Sequence, residues 1–365
     1  MEKNKPFEHN KFKYTEVGIE YPDDIKIPKH LYKYYSFSKY SVEALVNNYL
    51  YFSHPSQLND IIDSTDLLLD FENCSIENYN GLYEYRIGTF GFDRGKKPSF
   101  EEAKKNNFID LRSFIYFFGF FNKGLLSLTS CSINKLMMAH YTAETGFILK
   151  FERDLLLNSL DDENEINRIQ LFPMNYSKTI KPINFFKESK KTIENVNGKN
   201  IHSLDYKIPF LYISSLKDIV WKYEDEWRII IEKDKMGHIA PPLDFREVPK
   251  QNIINGRKIK YNNNCLNKII LAPMFFNNSS FKAEIKKVNN NKISFSFSLN
   301  IENFKEKKVL DSFREFLNKI CSHEYIGKIF IQDIDFSNLQ FERKCVEMLD
   351  IEFLNDIVSF TTRNG

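Results

Sequence analysis

The densest group of reactive side chains in this sequence lies in the stretch Trp221–Ile231, which reads W-K-Y-E-D-E-W-R-I-I-I. If the stretch is a strand, Glu224, Glu226 and Arg228 share one face, because side chains alternate along a strand. Trp227 then begins an apolar face on the other side. Side chains two apart lie about 6 to 7 Å from each other, so both carboxylates could engage one small ligand. The alternative is a solvated face whose ion pair contributes little to stability.

Hydroxyl groups and a histidine lie in two segments that come earlier in the chain. Residues 124–130 read G-L-L-S-L-T-S and predict a strand that ends in hydroxyls. Ser132 is a candidate cap for the helix that we expect next. On that helix His140 and Glu144 are four residues apart, which suits either an acid/base pair or a local surface contact. A core-edge histidine bonded to the backbone is a third interpretation, and the sequence leaves all three open.

Two aspartates form a third candidate group. Asp60 and Asp63 supply oxygen ligands of the kind that Mg²⁺ or Ca²⁺ prefers, although an all-protein site normally needs more oxygens than two side chains provide. An Asx-turn explains the same residues without a ligand. We therefore expect no metal site here.

Composition narrows the class of protein. The chain has 365 residues, of which 42% are hydrophobic and 15% aromatic, and this favours a packed globular protein of one large core plus an added unit, or of two domains. Its 51 basic and 49 acidic residues give a net charge of +2, too little for a general polyanion binder.

Cysteine use and hydropathy indicate the compartment. The five cysteines show no CxxC spacing, which argues against a disulfide framework or a structural zinc site. The longest near-pure apolar run, residues 114–121, is far shorter than the roughly 20 residues of a membrane helix. No apolar segment typical of a secretory signal follows the N-terminus. We therefore expect a cytoplasmic protein without a membrane span.

Three units are predicted along the chain: a lead-in at 1–28, an α+β domain at 29–303, and a C-terminal appendage at 304–365. The domain opens with a strand at 30–35, a helix capped by Ser38 or Ser41, and a strand at 50–53. Near its end we expect a helix through Phe281, Ile285 and Val288.

The appendage is predicted to hold a helix at 309–320, a short strand at 329–331 and a further helix through Phe341, Cys345 and Met348. It is also the predicted binding surface for a protein partner.

Five motifs occur in order along the chain: Leu31–Phe37, Leu50–Pro55 with Asn59-Asp60, Ser127–Thr129, Met138–Tyr141 with Gly146, and Trp221–Arg228. Together they resemble a bacterial family known as domain of unknown function 2971 (DUF2971), over residues 29–300. Two departures are Ile61-Ile62, where the family usually has Pro-Phe, and Met138, where it usually has Trp.

A more distant likeness is to ADP-ribosyltransferases of the Arg, Ser-Thr-Ser, Glu-x-Glu type, with a split, mostly antiparallel sheet flanked by helices. This likeness implies NAD as a substrate and no metal. It implies that Glu226 binds a ribose hydroxyl and that Glu224 orients or deprotonates the acceptor. Ser127 and Thr129 would brace the glutamate and line the nicotinamide pocket, and Lys33 would meet the pyrophosphate.

Two departures weaken this mapping: a lysine is a point charge where the family has the bidentate fork of an arginine, and Leu128 interrupts the Ser-Thr-Ser spelling. Five further residues complete the predicted NAD site: Tyr34, Ser130, His140, Tyr141 and Arg228.

The leading functional prediction is an NAD-using ADP-ribosyltransferase-like enzyme, such as a toxin or a phage-defence effector, whose acceptor is an unknown protein or nucleic acid. One alternative is a non-catalytic binding or scaffold module of a defence assembly. Another is a metal-dependent nuclease that uses Asp60, Asp63 and Glu226.

Overall fold

Helices and strands are interspersed along the chain, and the protein belongs to the predicted α+β class. The computed structural model describes residues 6–58, 60, 62–90, 97–131, 133–196, 199–234, 236, 255–282, 285–289, 292–335 and 342–363. The helices are α1 Lys39–Val46, α2 Ile76–Phe90, α3 Phe100–Lys105, α4 Ile109–Gly119, α5 Lys135–Met137, α6 Arg153–Asn164, α7 Phe185–Glu188, α8 Lys207–Ser215 and α9 Lys307–Ile320.

The strands fall into one large sheet and several small ones. In chain order they are β1 Phe7–His9, β2 Phe12–Tyr14, β3 Ile19–Glu20, β4 His30–Tyr35, β5 Tyr49–Tyr51, β6 Leu69–Asp70, β7 Lys123–Thr129, β8 Phe147–Glu152, β9 Arg168–Pro173, β10 Asn175–Ser177, β11 Ile183–Asn184, β12 Lys190–Val196, β13 Lys199–Asp205, β14 Leu216–Asp218, β15 Glu226–Glu232, β16 Lys258–Lys260, β17 Leu266–Leu271, β18 Ile285–Asn289, β19 Lys292–Ser298, β20 Ile329–Asp335, β21 Glu342–Glu347, β22 Leu349–Leu354 and β23 Ile357–Arg363.

The large sheet has eight strands in the order β21-β20-β17-β8-β4-β7-β15-β9. Its neighbours are antiparallel except β17 and β20, which are parallel. The strands β4 and β7 meet at a single register pair, Tyr32 with Thr129. Along β15, by contrast, β7 pairs from Lys123 to Thr129. The sheet is therefore mostly antiparallel and split between β4 and β7, as predicted; its likeness to an ADP-ribosyltransferase fold stays a prediction.

The predicted opening of the domain is confirmed. The strand β4 is followed by α1, whose N-cap is Ser38. The Ser38 hydroxyl accepts a hydrogen bond from the Ser41 N–H at 3.2 Å, and the Ser41 hydroxyl accepts one from the Ser38 N–H at 2.9 Å. This reciprocal capping satisfies two backbone donors at the start of the helix, which explains why it begins there.

The stretch around Trp227 follows the predicted alternation only from Glu226 onward. Trp227 packs in the main hydrophobic core, whereas Glu226 and Arg228 lie on the opposite face of β15. Glu224 is not on the strand, contrary to the sequence prediction. It ends a 3₁₀ helix, Ile219–Glu224, and the next residue, Asp225, has a left-handed backbone with φ of 44°.

Residues beyond 303 contribute to the same core and sheet. The ring of Phe313 on α9 stacks on Phe37 at 4.0 Å between centroids, and β20 pairs with β17. The predicted helix at 309–320 and the strand at 329–331 are confirmed as α9 and β20. The boundaries after residues 28 and 303 remain predictions, as does a partner-binding role for 304–365.

Two predicted helices are wrong. The segment that includes Ile285 and Val288 is β18, which pairs with β19. The segment around Cys345 is β21, which pairs with β20, while Phe341 lies outside the described residues. Apolar residues at i, i+4 and i+7 fit one face of a helix, but over so short a span they do not exclude a strand. Pairing with a neighbouring strand satisfies the backbone and decides the outcome.

In the part of the chain that the structure describes, no helix has the length and apolar character needed to cross a membrane.

Candidate active site

A cleft of about 330 Å³ opens where β4 and β7 separate. Its volume lies in the range of small-molecule sites, roughly 300 to 1,000 Å³. The charged residues that line it are Lys33, Asp60, Asp63, Lys217, Glu224 and Glu226. Its aromatic lining residues are Tyr32, Tyr34, Tyr51, Tyr141 and Trp221. A planar ligand with charged groups suits this combination of rings and charges.

Glu226 is a cleft carboxylate that two cationic side chains hold in place. Its Oε1 accepts hydrogen bonds from Arg228 Nη2 at 2.8 Å and Nε at 3.1 Å, and its Oε2 accepts one from Lys217 Nζ at 2.7 Å. Burial by itself would raise the pKa of Glu226, but Arg228, Lys217 and a hydrogen bond from Ser127 outweigh it and hold the pKa at about 2. Glu226 is therefore an anion at every physiological pH.

Arg228 lies behind the cleft and is completely buried. Its Nη1 and Nη2 donate to the two carboxylate oxygens of Asp63 at 2.9 and 2.8 Å, and Nη1 also donates to the backbone oxygen of Ser214 at 2.7 Å. Burial lowers the pKa of Arg228, but Asp63 and Glu226 more than compensate and raise it above its ordinary value. Arg228 thus joins the two carboxylates into one buried network.

Asp60 and Asp63, for which the sequence favoured an Asx-turn over a metal site, have different surroundings. Both carboxylate oxygens of Asp63 are bonded to Arg228, whereas Asp60 Oδ1 accepts a hydrogen bond from the Ile62 N–H at 3.0 Å, as an Asx-turn requires. Among the described residues, no group of three or more His, Cys, Asp or Glu side chains is arranged to hold a metal ion. A cation at Asp63 would have to displace the guanidinium group.

Lys217 is a cleft residue that the sequence did not single out. It is buried, and its Nζ lies 2.5 Å from Glu224 Oε2, 2.7 Å from Glu226 Oε2 and 3.9 Å from Asp63 Oδ2. Burial lowers its pKa, but Glu226 and Asp63 outweigh this effect and raise it above the ordinary value. Lys217 lies on β14, directly before the 3₁₀ helix Ile219–Glu224, and no spacing rule in the sequence signals its contact with both glutamates.

A one-turn π-helix, Met138–Thr142, delivers Tyr141 to the cleft. The Tyr141 hydroxyl donates to Glu224 Oε1 at 2.5 Å, and burial together with this bond raises the pKa of Tyr141. The longer helix that the sequence predicts is wrong, because α5 is a short helix capped by Asn134; the predicted cap, Ser132, lies outside the described residues. Single-turn π-helices occur frequently at functional sites.

Four of the residues predicted for the site surround the cleft without lining it. Arg228 lies behind Glu226, and Thr129 is buried, with its hydroxyl accepting a hydrogen bond from the Cys131 N–H at 3.0 Å. Ser130 is hydrogen-bonded to Asp225. His140 Nδ1 is 3.0 Å from the Tyr223 hydroxyl and exposed. The predicted residues that line the cleft are Lys33, Tyr34, Ser127, Tyr141, Glu224 and Glu226.

The depressed pKa of Glu226 predicts a loss of stability in acid. The pKa falls from an ordinary value of 4.5 to about 2, so the stabilisation is present above pH 4.5 and is lost as the pH falls toward 2. We expect the free energy of unfolding of the wild type to drop by on the order of 3 kcal/mol more than that of Glu226→Gln over this interval. Denaturant titrations at several pH values check this, and parallel curves for the two proteins would contradict it.

Part of this site lies in a segment that is similar to a known family. No curated protein and no solved structure matches the chain. Residues 137–229, which include Tyr141, Lys217, Glu224 and Glu226, match a family model described as a protein of unknown function, DUF2971. The family resemblance predicted from the sequence is therefore confirmed over residues 137–229, where the chain is similar to DUF2971.

Proposed function

We propose that the cleft binds NAD and that the protein transfers ADP-ribose from it to an acceptor in the cytosol. The observation that carries this proposal is the convergence of Lys33, Ser127, Glu224 and Glu226 on one cleft at the split of the sheet. These residues come from three separate segments of the chain. They are the residue types that the likeness to ADP-ribosyltransferases implies, apart from the lysine that replaces arginine.

The chemistry requires stabilisation of a positive charge. Breaking the bond between ribose and nicotinamide passes through an oxocarbenium-like state, and a fixed anion near the ribose favours that state over the ground state. Glu226 remains ionised because Arg228 and Lys217 hold its pKa at about 2. Three hydrogen bonds from Arg228 and Lys217 orient its carboxylate, so it needs little reorganisation when charge develops.

The balance of charges around the cleft supports the same role. Among the described residues, four carboxylates face three cations, which leaves the region net negative when all are ionised. A net negative, partly buried site attracts the cationic nicotinamide end of NAD and the cationic transition state. The carboxylates are Asp60, Asp63, Glu224 and Glu226, and the cations are Lys33, Lys217 and Arg228.

The test is NAD turnover, measured by release of nicotinamide, in the wild type and in Glu226→Gln. We expect this variant to lose turnover by about 100-fold or more, because it removes the charge and retains the size of the side chain. Glu232→Gln is the matched control, since Glu232 lies on the same strand but outside the cleft, and it should turn over like the wild type. Circular dichroism establishes that both variants fold.

Binding is followed separately through tryptophan fluorescence. The chain has two tryptophans, and Trp221 lines the cleft while Trp227 is buried in the core. NAD should quench the wild-type emission, and Trp221→Phe should remove the response. Absence of both quenching and turnover in a folded wild-type protein contradicts the proposal.

One observation favours a second candidate, a binding module without catalysis. Both oxygens of Glu224 and both oxygens of Glu226 already accept hydrogen bonds from Lys217, Tyr141 or Arg228, as in a structural network. This candidate predicts quenching by NAD or ADP-ribose without release of nicotinamide. If the wild type releases nicotinamide and Glu226→Gln does not, the enzyme is favoured over the binding module.

A further inference from the structure

Lys33 differs from the other cations of the cleft in its partners. Lys217 and Arg228 are ion-paired with the carboxylates around the cleft, whereas Lys33 forms no ion pair within the described part of the chain. Its Nζ instead donates to the backbone oxygen of Ser127 at 3.0 Å, across the split in the sheet. The amine therefore sits at the cleft with a neutral acceptor as its partner.

The glutamates are poorly placed to accept a proton. Glu224 Oε1 accepts a hydrogen bond from the Tyr141 hydroxyl at 2.5 Å and Oε2 accepts one from Lys217 Nζ at 2.5 Å, so each oxygen already has a donor. Glu226 is held as an anion of low basicity by Lys217 and Arg228. A transfer reaction from NAD to a hydroxyl group nevertheless releases a proton, and it needs a group to take it.

We propose that Lys33, as the neutral amine, accepts the proton from the attacking hydroxyl group of the acceptor or from water. This inference rests on the proposed function. As the new bond forms between that oxygen and C1′ of the ribose, the bond to nicotinamide breaks and its electron pair stays on the nicotinamide nitrogen. The proton moves to Lys33 Nζ, and the products are the ADP-ribosylated acceptor, neutral nicotinamide and an ammonium group.

The electrostatic surroundings of Lys33 agree with this role. Burial lowers its pKa to about 8, against an opposing effect of Glu226, a supporting effect of Arg228 and a smaller opposing effect of Glu224. A base with a pKa in this range is partly deprotonated near neutral pH and still strong enough to take a proton.

The decisive variant is Lys33→Arg, because it retains the positive charge and removes the capacity to act as a base. With NAD and water as substrates, we expect nicotinamide release by the wild type to rise with pH through a midpoint near 8. Lys33→Arg should lower kcat by about 100-fold or more and lose that rise, with KM changed by no more than about threefold. Lys222→Arg, at an exposed position outside the cleft, is the matched control and should keep the wild-type profile.

A second variant restores the amine chemically. Lys33→Cys treated with bromoethylamine regains a side chain that ends in an amine, and it should recover turnover together with a pH-dependent rise. The wild type is treated in parallel, because the chain has five cysteines of its own.

The possible outcomes separate this inference from the proposed function. If Lys33→Arg turns over NAD with an unchanged pH profile, Lys33 only binds the pyrophosphate as an electrostatic partner, and the inference is overturned while the proposed function stands. If the folded wild type releases no nicotinamide from NAD, both are overturned. The inference and the proposed function are both supported if Lys33→Arg loses the rise of nicotinamide release with pH and the alkylated Lys33→Cys variant regains it.

Discussion

Replacing Arg228 with methionine is expected to lower the free energy of unfolding by about 3 to 5 kcal/mol. The guanidinium group is fully buried and bonded to both oxygens of Asp63 and to Glu226. Without it, two buried carboxylates lose their strongest partner, and the desolvation penalty of each is no longer offset. Urea or guanidinium denaturation at neutral pH measures the loss.

Arg314→Met is the matched control for this prediction. Arg314 also forms a two-bond ion pair, with Asp356 at 2.8 and 2.7 Å, but its side chain is 36% exposed. We expect its replacement to lower the free energy of unfolding by no more than about 1 kcal/mol, because water solvates the groups left behind. Equal losses in the two variants would show that burial does not set the strength of the Arg228 network.

A double variant tests whether the carboxylate of Asp63 causes the loss of stability in Arg228→Met. Asp63 loses both of its guanidinium hydrogen bonds in Arg228→Met, whereas Glu226 keeps Lys217, so adding Asp63→Asn should recover part of the lost stability. No recovery would mean that lost packing, and not the stranded carboxylate, explains the destabilisation.

Replacing Gly146 with alanine is expected to destabilise the fold by about 3 kcal/mol or more, or to prevent folding. A Cβ at this position would lie 2.0 Å from the backbone oxygen of Tyr35 and 3.0 Å from its carbonyl carbon. The glycine cannot shift freely, because its N–H donates to Thr142 and its oxygen accepts from the Ala272 N–H, each at 2.9 Å. The clash would push β4 away from β8 beside the π-helix that carries Tyr141.

Gly81→Ala is the control for the same substitution. Gly81 lies within α2, and nothing lies within 4 Å of a Cβ built on it. Because alanine favours a helix over glycine, we expect this variant to be neutral or more stable by up to about 1 kcal/mol. Thermal and denaturant unfolding compare the two alanine variants, and a Gly146→Ala protein as stable as the wild type would refute the close approach of Tyr35.

Some elements could be predicted from the sequence because local rules agree with their tertiary surroundings. The strand β4 has β-favouring aromatics, α1 has a serine cap on a helical period, and β15 alternates from Glu226 onward. In each, the local preference and the burial pattern favour the same structure.

Other elements escaped prediction because long-range pairing decided them. The strands β18 and β21 have apolar spacings that also fit a helix, and it is their pairing with β19 and β20 that fixes the extended conformation. Glu224 lies on a 3₁₀ helix and not on the strand, since a left-handed residue at Asp225 ends the helix just before β15. Glu224 nevertheless lines the same cleft as Glu226, although the sequence predicted that it would do so from the strand.

The sequence by itself determined the α+β class, the DUF2971 resemblance that holds over residues 137–229, and the grouping of Glu226 with Arg228 on one face of a strand. Only the tertiary structure decided that Lys217 joins both glutamates, that Asp63 binds Arg228, and that Lys33 forms no ion pair within the described residues. The physical reason is that alternation along a strand is a local consequence of backbone geometry. The partner of a buried charge, by contrast, is set by which distant segments exclude water from it, and no short-range pattern encodes that.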